Sequence, residues 1–224
     1  MSSEDSPKII VERNGLYIVR GSIPLVEKSE EMSEFGEPLS WATGKELRSS
    51  GNYALCRCGK SNRKPFCDDT HEEIGFEGTE AADTGPISDR WKTFSSPEIV
   101  IQDDHSLCMH SGFCGNRITN IWKMQADGDD SEVLAEITAM IDRCPSGTLA
   151  YILEPGGEIV ERDLRKEVAI IRDGPIWITG GIPVERSDGQ PLETRNRVTL
   201  CRCGASSKMP LCDGSHKEIG FTAP

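Results

Sequence analysis

Short apolar runs around tight-turn signals recur near both ends of the chain. The apolar runs 9–11 and 16–19, which flank the turn dipeptide Asn14-Gly15, predict a β-hairpin. Residues 167–184 repeat this order around Asp173-Gly174. The pattern therefore predicts two copies of one small β module.

The first copy carries an additional polar stretch around residues 27–46. We expect this stretch to form a surface loop or a short helix. Between the two copies, the apolar positions of residues 131–143 have helical spacing, with Ser131 as the expected N-cap. Strands are expected on either side of this helix, at residues 98–102 and 148–153. The middle of the chain is therefore predicted to be a small α+β segment.

Three cysteines and one histidine recur in both copies with the spacing C-x-C-x8-C-x3-H, and both copies begin with C-R-C-G. These residues are Cys56, Cys58, Cys67 and His71 in the first copy, and Cys201, Cys203, Cys212 and His216 in the second. Asp68 and Asp213 follow the third cysteine and are expected to cap a short helix that opens at the next residue. Three thiolates and an imidazole suit either structural zinc or an iron–sulfur cluster. The spacing favours iron–sulfur, because zinc sites usually pair their cysteines as C-x2–4-C.

The other three cysteines, Cys108, Cys114 and Cys144, lie in the middle segment. All nine cysteines of the chain therefore fall into three groups. The N-terminal residues lack the apolar core of a secretory signal, so we expect a cytoplasmic protein in which thiols stay reduced. Cysteines in such a protein indicate metal ligation rather than disulfides.

Composition narrows the functional classes. Apolar residues make up only 36% of the chain, which carries 22 Gly and 13 Pro, so several small domains are expected rather than one large core. A net charge of −12 argues against nucleic acid as a partner. It favours an ordinary solvated surface over one that steers a basic protein partner. Apolar runs are too short for a membrane span. We find no nucleotide-binding loop and no nucleophile with a base partner, so no enzymatic activity is expected.

Both cysteine stretches resemble the CDGSH iron–sulfur domain family (mitoNEET-like), whose pattern is C-x-C-x2-S/T-x3-P-x-C-D-G-S/A/T-H. The second copy matches at every position, whereas the first has Asp69 in place of the glycine. Aspartate tolerates unusual backbone conformations better than most residues. The resemblance implies one [2Fe–2S] cluster in each copy, with one iron held by the first two cysteines and the other by the third cysteine and the histidine. Since family members are strand-swapped dimers, it also implies an intramolecular pseudo-dimer.

The middle segment is similar to divergent single-cluster bacterial ferredoxins. The matching residues are Cys108-Met-His-Ser-Gly-Phe-Cys114 and Cys144-Pro-Ser-Gly. Ser111 stands where an ordinary ferredoxin has its second cysteine. Three thiolates suit a [3Fe–4S] cluster, or a [4Fe–4S] cluster whose fourth iron has a ligand other than cysteine. The candidates for that ligand are His105, His110 and Ser111.

These observations predict an α+β protein in which two small β-rich CDGSH modules flank a small ferredoxin-like α+β domain. The expected segments are 1–80, 96–156 and 165–224. We predict an iron–sulfur electron-transfer protein whose partners are redox proteins, either a reductase or an electron acceptor. Two alternatives remain open: a protein that stores clusters or donates them to apo iron–sulfur acceptors, and a zinc-binding interaction module.

Overall fold

The computed structural model describes residues 6–154 and 156–224, which form three small β-sheets and four short α-helices. Residues 1–5 and Pro155 belong to the expected segments 1–80 and 96–156 but lie outside the described residues. The predicted fold class, α+β with small β-rich modules around a small domain, is confirmed.

Most of the elements are short. The strands are β1 Lys8–Val11, β2 Tyr17–Arg20, β3 Leu25–Met32, β4 Pro38–Arg48, β5 Tyr53–Leu55, β6 Lys92–Ser95, β7 Val100–Asp103, β8 Leu149–Ile152, β9 Glu167–Ile171, β10 Ile176–Thr179, β11 Val184–Glu185 and β12 Arg197–Leu200. The helices are α1 Thr70–Glu73, α2 Ile121–Met124, α3 Ser131–Asp142 and α4 Ser215–Glu218. In the part of the chain that the structure describes, no helix combines the length and apolar character needed to cross a membrane.

The first repeat (residues 8–76) and the second repeat (residues 167–221) exchange strands. One sheet has the strand order β11–β1–β2–β5, and another has the order β12–β10–β9–β3–β4. Strand β3 of the first repeat pairs in parallel with β9 of the second. Strand β11 of the second repeat pairs in parallel with β1 of the first. The first repeat therefore adds β3 and β4 to the sheet of the second, the second adds β11 to the sheet of the first, and the two form one interlocked β unit.

The two interlocked sheets share an apolar core, but the second repeat is buried more completely than the first. Residues in β1 and β2 alternate between buried and half-buried positions, whereas every residue of β9 and β10 is buried. Trp177 and Ala169 face away from the shared core and are covered by Met109 of the middle segment and by Trp41. The middle segment therefore packs against the second repeat.

The polar stretch around residues 27–46 is a β-hairpin formed by β3 and β4, so the expectation of a loop or short helix was wrong. Strand β3 also pairs with β9, so long-range pairing determines its conformation. Trp41 packs against Phe113 and Trp177, with ring centroids 5.1 and 5.0 Å away. Its indole N–H donates to the carbonyl of Arg143 at 2.8 Å. The hairpin thus connects the second repeat to the middle segment.

The middle segment is the sheet β6–β7–β8 covered by α3. Ile141 of α3 and Ile101 of β7 belong to its buried apolar cluster. The helix is capped by Asp130, whose carboxylate accepts the N–H of Glu132 at 2.8 Å. The N-cap was expected at Ser131 but is Asp130, one residue earlier, because its carboxylate takes that role.

Candidate metal centres

The first repeat brings its three cysteines and its histidine to one end of β5. Cys56 and Cys58 follow this strand directly, and their Sγ atoms lie 3.8 Å apart. Cys67 Sγ lies 3.4 Å from Nδ1 of His71, which is in the first turn of α1. Two thiols thus form one ligand pair, and a thiol with an imidazole forms the other.

The second repeat has the same geometry at the end of β12. The Sγ atoms of Cys201 and Cys203 are 3.7 Å apart, and Cys212 Sγ lies 3.5 Å from Nδ1 of His216. The second site is the more deeply buried of the two. Cys212 is 3% exposed, whereas Cys67 of the first site is only half-buried.

An aspartate holds each cysteine loop in shape. Asp213 accepts hydrogen bonds from the backbone N–H groups of Ser207 at 2.8 Å and Ser215 at 3.1 Å. Burial opposes ionisation of this carboxyl, but the bonds from Ser215 and Ser207 outweigh it and lower the pKa of Asp213 to about 2. Asp68 makes the corresponding bonds in the first repeat. Both carboxylates therefore bridge the two sides of a cysteine loop.

The helices after these aspartates begin one residue later than expected, at Thr70 and Ser215. The residue between is in the left-handed conformation in both repeats, with φ 66° at Asp69 and 90° at Gly214. Glycine adopts this conformation without steric cost, and aspartate is among the few other residues that adopt it readily. The first repeat therefore keeps the loop geometry despite its departure from the glycine.

The thiol pairs and the second histidine are suited to bind a metal. In each pair the two thiols share a hydrogen bond. This bond lowers the pKa of one thiol, Cys56 or Cys201, to about 6, and it raises the pKa of the other, Cys58 or Cys203. One thiolate of each pair is therefore readily available for metal binding. Burial lowers the pKa of His216 to about 4, so its imidazole is neutral near pH 7, as a metal ligand must be.

A buried arginine fixes each C-R-C-G loop to a hairpin turn. Arg57 donates to the carbonyl of Glu12 at 3.0 Å, and Arg202 donates to those of Gly174 and Ile171 at 3.0 and 2.9 Å. Each guanidinium is 1% exposed. Sequence reasoning did not single out these arginines as structural residues, although their position inside the shared C-R-C-G motif was the available signal.

The two C-R-C-G loops meet through their glycines. A Cβ atom at Gly59 would lie 2.4 Å from the carbonyl oxygen of Cys203, and one at Gly204 would lie 2.5 Å from that of Cys58. Both glycines have left-handed φ angles, 76° and 80°. The two candidate sites are therefore direct neighbours, with the backbone of each loop packed against the other.

Tyr17 of the first repeat supports the second site. Its buried hydroxyl lies 2.8 Å from the carbonyl oxygen of Cys201 and 3.2 Å from that of Pro210, and it donates to both. Sequence reasoning missed this residue, since a tyrosine in an amphipathic strand is usually a core residue. The second repeat has Ile176 at the corresponding position, and this difference between the repeats could have pointed to Tyr17.

We expect Tyr17→Phe to lower the free energy of unfolding by about 1–2 kcal/mol, because a buried hydrogen bond is lost. The variant should also speed iron loss from the second site more than from the first. Urea denaturation measures the change in stability. Iron release is measured in Cys67→Ser and Cys212→Ser backgrounds, which separate the two sites. Tyr53→Phe is the matched control, because its hydroxyl donates to Ile23 at 3.0 Å, away from both sites. Equal effects of the two variants on the second site would contradict the role of Tyr17.

The three middle cysteines line one cavity of about 180 Å³. Cys108 and Cys114 lie in the loop before α2, and Cys144 directly follows α3. Burial and the nearby Cys144 raise the pKa of Cys108, and they raise that of Cys114 to about 11. Thiols this close compete for ionisation unless a cation neutralises them, so the donor set suits a cationic iron–sulfur core.

The three non-cysteine candidates, His105, His110 and Ser111, line the same cavity. His110 also touches the second repeat. A Cβ atom at Gly214 would lie 2.7 Å from Cδ2 of its ring, and Lys217 donates to its carbonyl. The middle cavity therefore adjoins the second cysteine site, through one histidine.

Two protein-family models match this chain, one at the two repeats and the other at the middle segment. The model described as "Iron-binding zinc finger CDGSH type" matches residues 14–72 and 173–217. The model described as "Divergent 4Fe-4S mono-cluster" matches residues 94–154. None of the curated proteins and none of the solved structures matches the chain significantly. The resemblances drawn from the cysteine motifs are thereby confirmed.

Proposed function

The chain belongs to the CDGSH iron-binding family through its two repeats, with a divergent 4Fe–4S mono-cluster segment between them, and on that premise we propose that it is an electron-transfer protein. It binds iron–sulfur cofactors. We assign it two [2Fe–2S] clusters and one [3Fe–4S] or [4Fe–4S] cluster, which accept and release single electrons when bound. The proposed ligands are Cys56, Cys58, Cys67 and His71, then Cys201, Cys203, Cys212 and His216, and in the middle Cys108, Cys114 and Cys144.

The contact between neighbouring sites carries the proposal. The loop with Cys58 packs on the backbone of Gly204, and the loop with Cys203 packs on that of Gly59. His110 links the middle cavity to the second site. Electron tunnelling falls steeply with distance, so three adjoining sites favour transfer of electrons within one chain.

The buried Arg202 favours the reduced state of both repeats. Burial lowers the pKa of Arg202 to about 10, so its guanidinium stays charged at neutral pH. This charge attracts thiolates of both sites, Cys203 of its own repeat and Cys56 of the other. A fixed positive charge in a buried region stabilises an added electron, so it raises the reduction potential of a nearby cluster.

The proposed partners are redox proteins, and the proposal assigns no catalytic residue. Anaerobic purification with iron, sulfide and zinc analysis tests it, together with visible absorption and EPR before and after dithionite. We expect about seven or eight irons per chain. The reduced protein should pass electrons to cytochrome c without losing iron. Stoichiometric zinc in a colourless protein would contradict the proposal.

Cluster donation is the second candidate function, because Cys67 of the first site is half-buried while its counterpart Cys212 is buried. Incubation with an apo-ferredoxin tests this candidate. Transfer of cluster to the acceptor faster than release of iron to a chelator would favour donation over electron transfer.

The difference in burial predicts that a chelator removes iron from the first site before the second. A half-buried thiolate is more accessible to water and chelator than one that packs against Met109 and Trp177. Time-resolved loss of visible absorption, measured in a Cys108→Ser background that removes the middle cluster, should show a fast and a slow phase. Cys67→Ser should remove the fast phase, and Cys212→Ser the slow one. A single rate, or the opposite assignment, would show that ligand exposure does not control release.

A further inference from the structure

The middle cavity provides three thiols, and a cubane cluster has four irons to ligate. The fourth donor must come from a residue other than cysteine, because the remaining six cysteines lie in the two repeats. We propose that Nδ1 of His110 is this donor, so that the middle site holds a [4Fe–4S] cluster. The inference rests on the proposed function and deepens it, since it fixes the cluster type and the ligand set of the middle site.

The ring of His110 is placed among the cavity's donors. Its Nδ1 lies 3.8 Å from Sγ of Cys108, and its backbone N–H donates to the same sulfur at 3.3 Å. Potential ligand atoms of His105, Cys108 and His110 all lie within 4.8 Å of one another. The imidazole therefore lies among the potential donor atoms of the cavity.

His110 is held from the second repeat, which distinguishes it from His105. The ring of His110 packs against Gly214, and its backbone carbonyl accepts from Lys217. The ring of His105 lies edge-on to that of His110, with centroids 5.7 Å apart. Imidazole is also a better iron ligand than the neutral hydroxyl of Ser111.

The backbone of His110 is in the left-handed region, with φ 60°. A residue with a side chain adopts this conformation at a steric cost, and such outliers concentrate at functional sites. The contacts from the second repeat offset this cost, since they hold both the ring and the carbonyl. A ligand fixed by two contacts in a strained conformation is pre-organised for metal binding.

Ligation by a neutral imidazole needs no proton release. With its proton on Nε2, the ring would have the lone pair of Nδ1 free to ligate an iron. The cluster would then carry one negative charge fewer than one with four thiolates.

The same contact accounts for a difference between the repeats. A Cβ atom at position 214 would collide with the ring of His110, so the second repeat requires glycine there. The corresponding Asp69 of the first repeat lies instead beside Cys67 of its own loop. A substitution in the second repeat should therefore alter the cluster of the middle segment.

Iron analysis and EPR of the anaerobically reconstituted full chain test the proposal. A three-iron cluster gives an EPR signal in the oxidised protein, whereas a four-iron cluster gives its signal after reduction. We expect His110→Ala to lose about one iron per chain and to acquire the three-iron signal. His110→Cys should restore the four-iron signal, because a thiolate replaces the imidazole. His105→Ala is the matched control and should keep the wild-type signal.

Gly214→Asp copies the residue of the first repeat and should shift the middle cluster toward the three-iron signal by displacing the His110 ring. Asp69→Gly, its mirror substitution, should leave the middle signal unchanged. The proposal is overturned if His110→Ala keeps a full four-iron cluster, if His110→Cys fails to restore what His110→Ala loses, or if the wild type itself holds only three irons in the middle. These outcomes leave the electron-transfer proposal intact, which fails instead if the wild type lacks iron–sulfur signals altogether.

Discussion

Replacing Gly59 with alanine is expected to lower the free energy of unfolding by about 2–5 kcal/mol and to weaken iron binding at both repeats. Two costs add at this position. The left-handed φ of 76° disfavours any residue with a Cβ atom, and that atom would lie 2.4 Å from the carbonyl oxygen of Cys203. The neighbouring Arg202 is bonded to a hairpin turn, so the opposing loop cannot readily move away. Both sites should suffer, because the contact positions Cys58 and Cys203 together.

Gly51→Ala is the matched control for this substitution. Gly51 has φ 81°, but a Cβ atom there would meet no other atom within 4 Å. Its alanine variant therefore carries only the conformational cost, about 1–2 kcal/mol. Urea denaturation followed by circular dichroism measures the stability of both variants, and visible absorption reports retained iron. If Gly59→Ala were no more destabilising than Gly51→Ala, the two loops would not be in the close contact described.

The ligand groups were predictable from sequence because their spacing is local. Cys201 to His216 fall within one short segment, so the motif alone specifies which side chains can converge. The hairpins were predictable for the same reason, from Asn14 and Asp173 at their turns. Parallel pairing of β3 with β9 joins residues far apart in the chain and leaves no local pattern. The polar stretch that contains β3 was consequently interpreted as a loop or helix.

Differences between the repeats carry information that the shared motif does not. Gly214 faces His110, whereas the corresponding position of the first repeat is Asp69. Arg197 likewise replaces Asn52 before the first cysteine. In the second repeat both residues contact the middle segment. The shared cysteine motif does not include these differences, although they mark the face of the second repeat on which the middle segment packs.

Arg197 joins the second repeat to the middle segment through buried hydrogen bonds. Its Nη1 donates to the carbonyls of Ile141, Asp142 and Cys144, each at 3.0 Å, and Nη2 donates to that of Leu149 at 3.3 Å. The carbonyls of Ile141 and Asp142 lie in the last turn of α3 and that of Cys144 just beyond it, where a helix carries partial negative charge. The guanidinium therefore caps this helix and fixes the backbone of a proposed cluster ligand.

We expect Arg197→Met to lower the free energy of unfolding by about 3–5 kcal/mol, because it strips several buried carbonyls of their partner. The middle cluster should be lost or altered, since the backbone at Cys144 is no longer held. The clusters of the two repeats should be affected less. Urea denaturation gives the stability change, and EPR of the reduced protein gives the middle signal separately from the [2Fe–2S] signals.

Arg186→Met separates this local effect from the general cost of losing a buried arginine. Arg186 is 9% exposed and donates to the carbonyls of Ala82 and Glu80 at 2.7 and 2.9 Å, outside the middle segment. Its loss should destabilise the protein but preserve the middle cluster. Arg197→Lys should recover only part of the stability, because a single ammonium cannot reproduce the fork of donors. An unchanged middle signal in Arg197→Met would mean that the second repeat does not position Cys144.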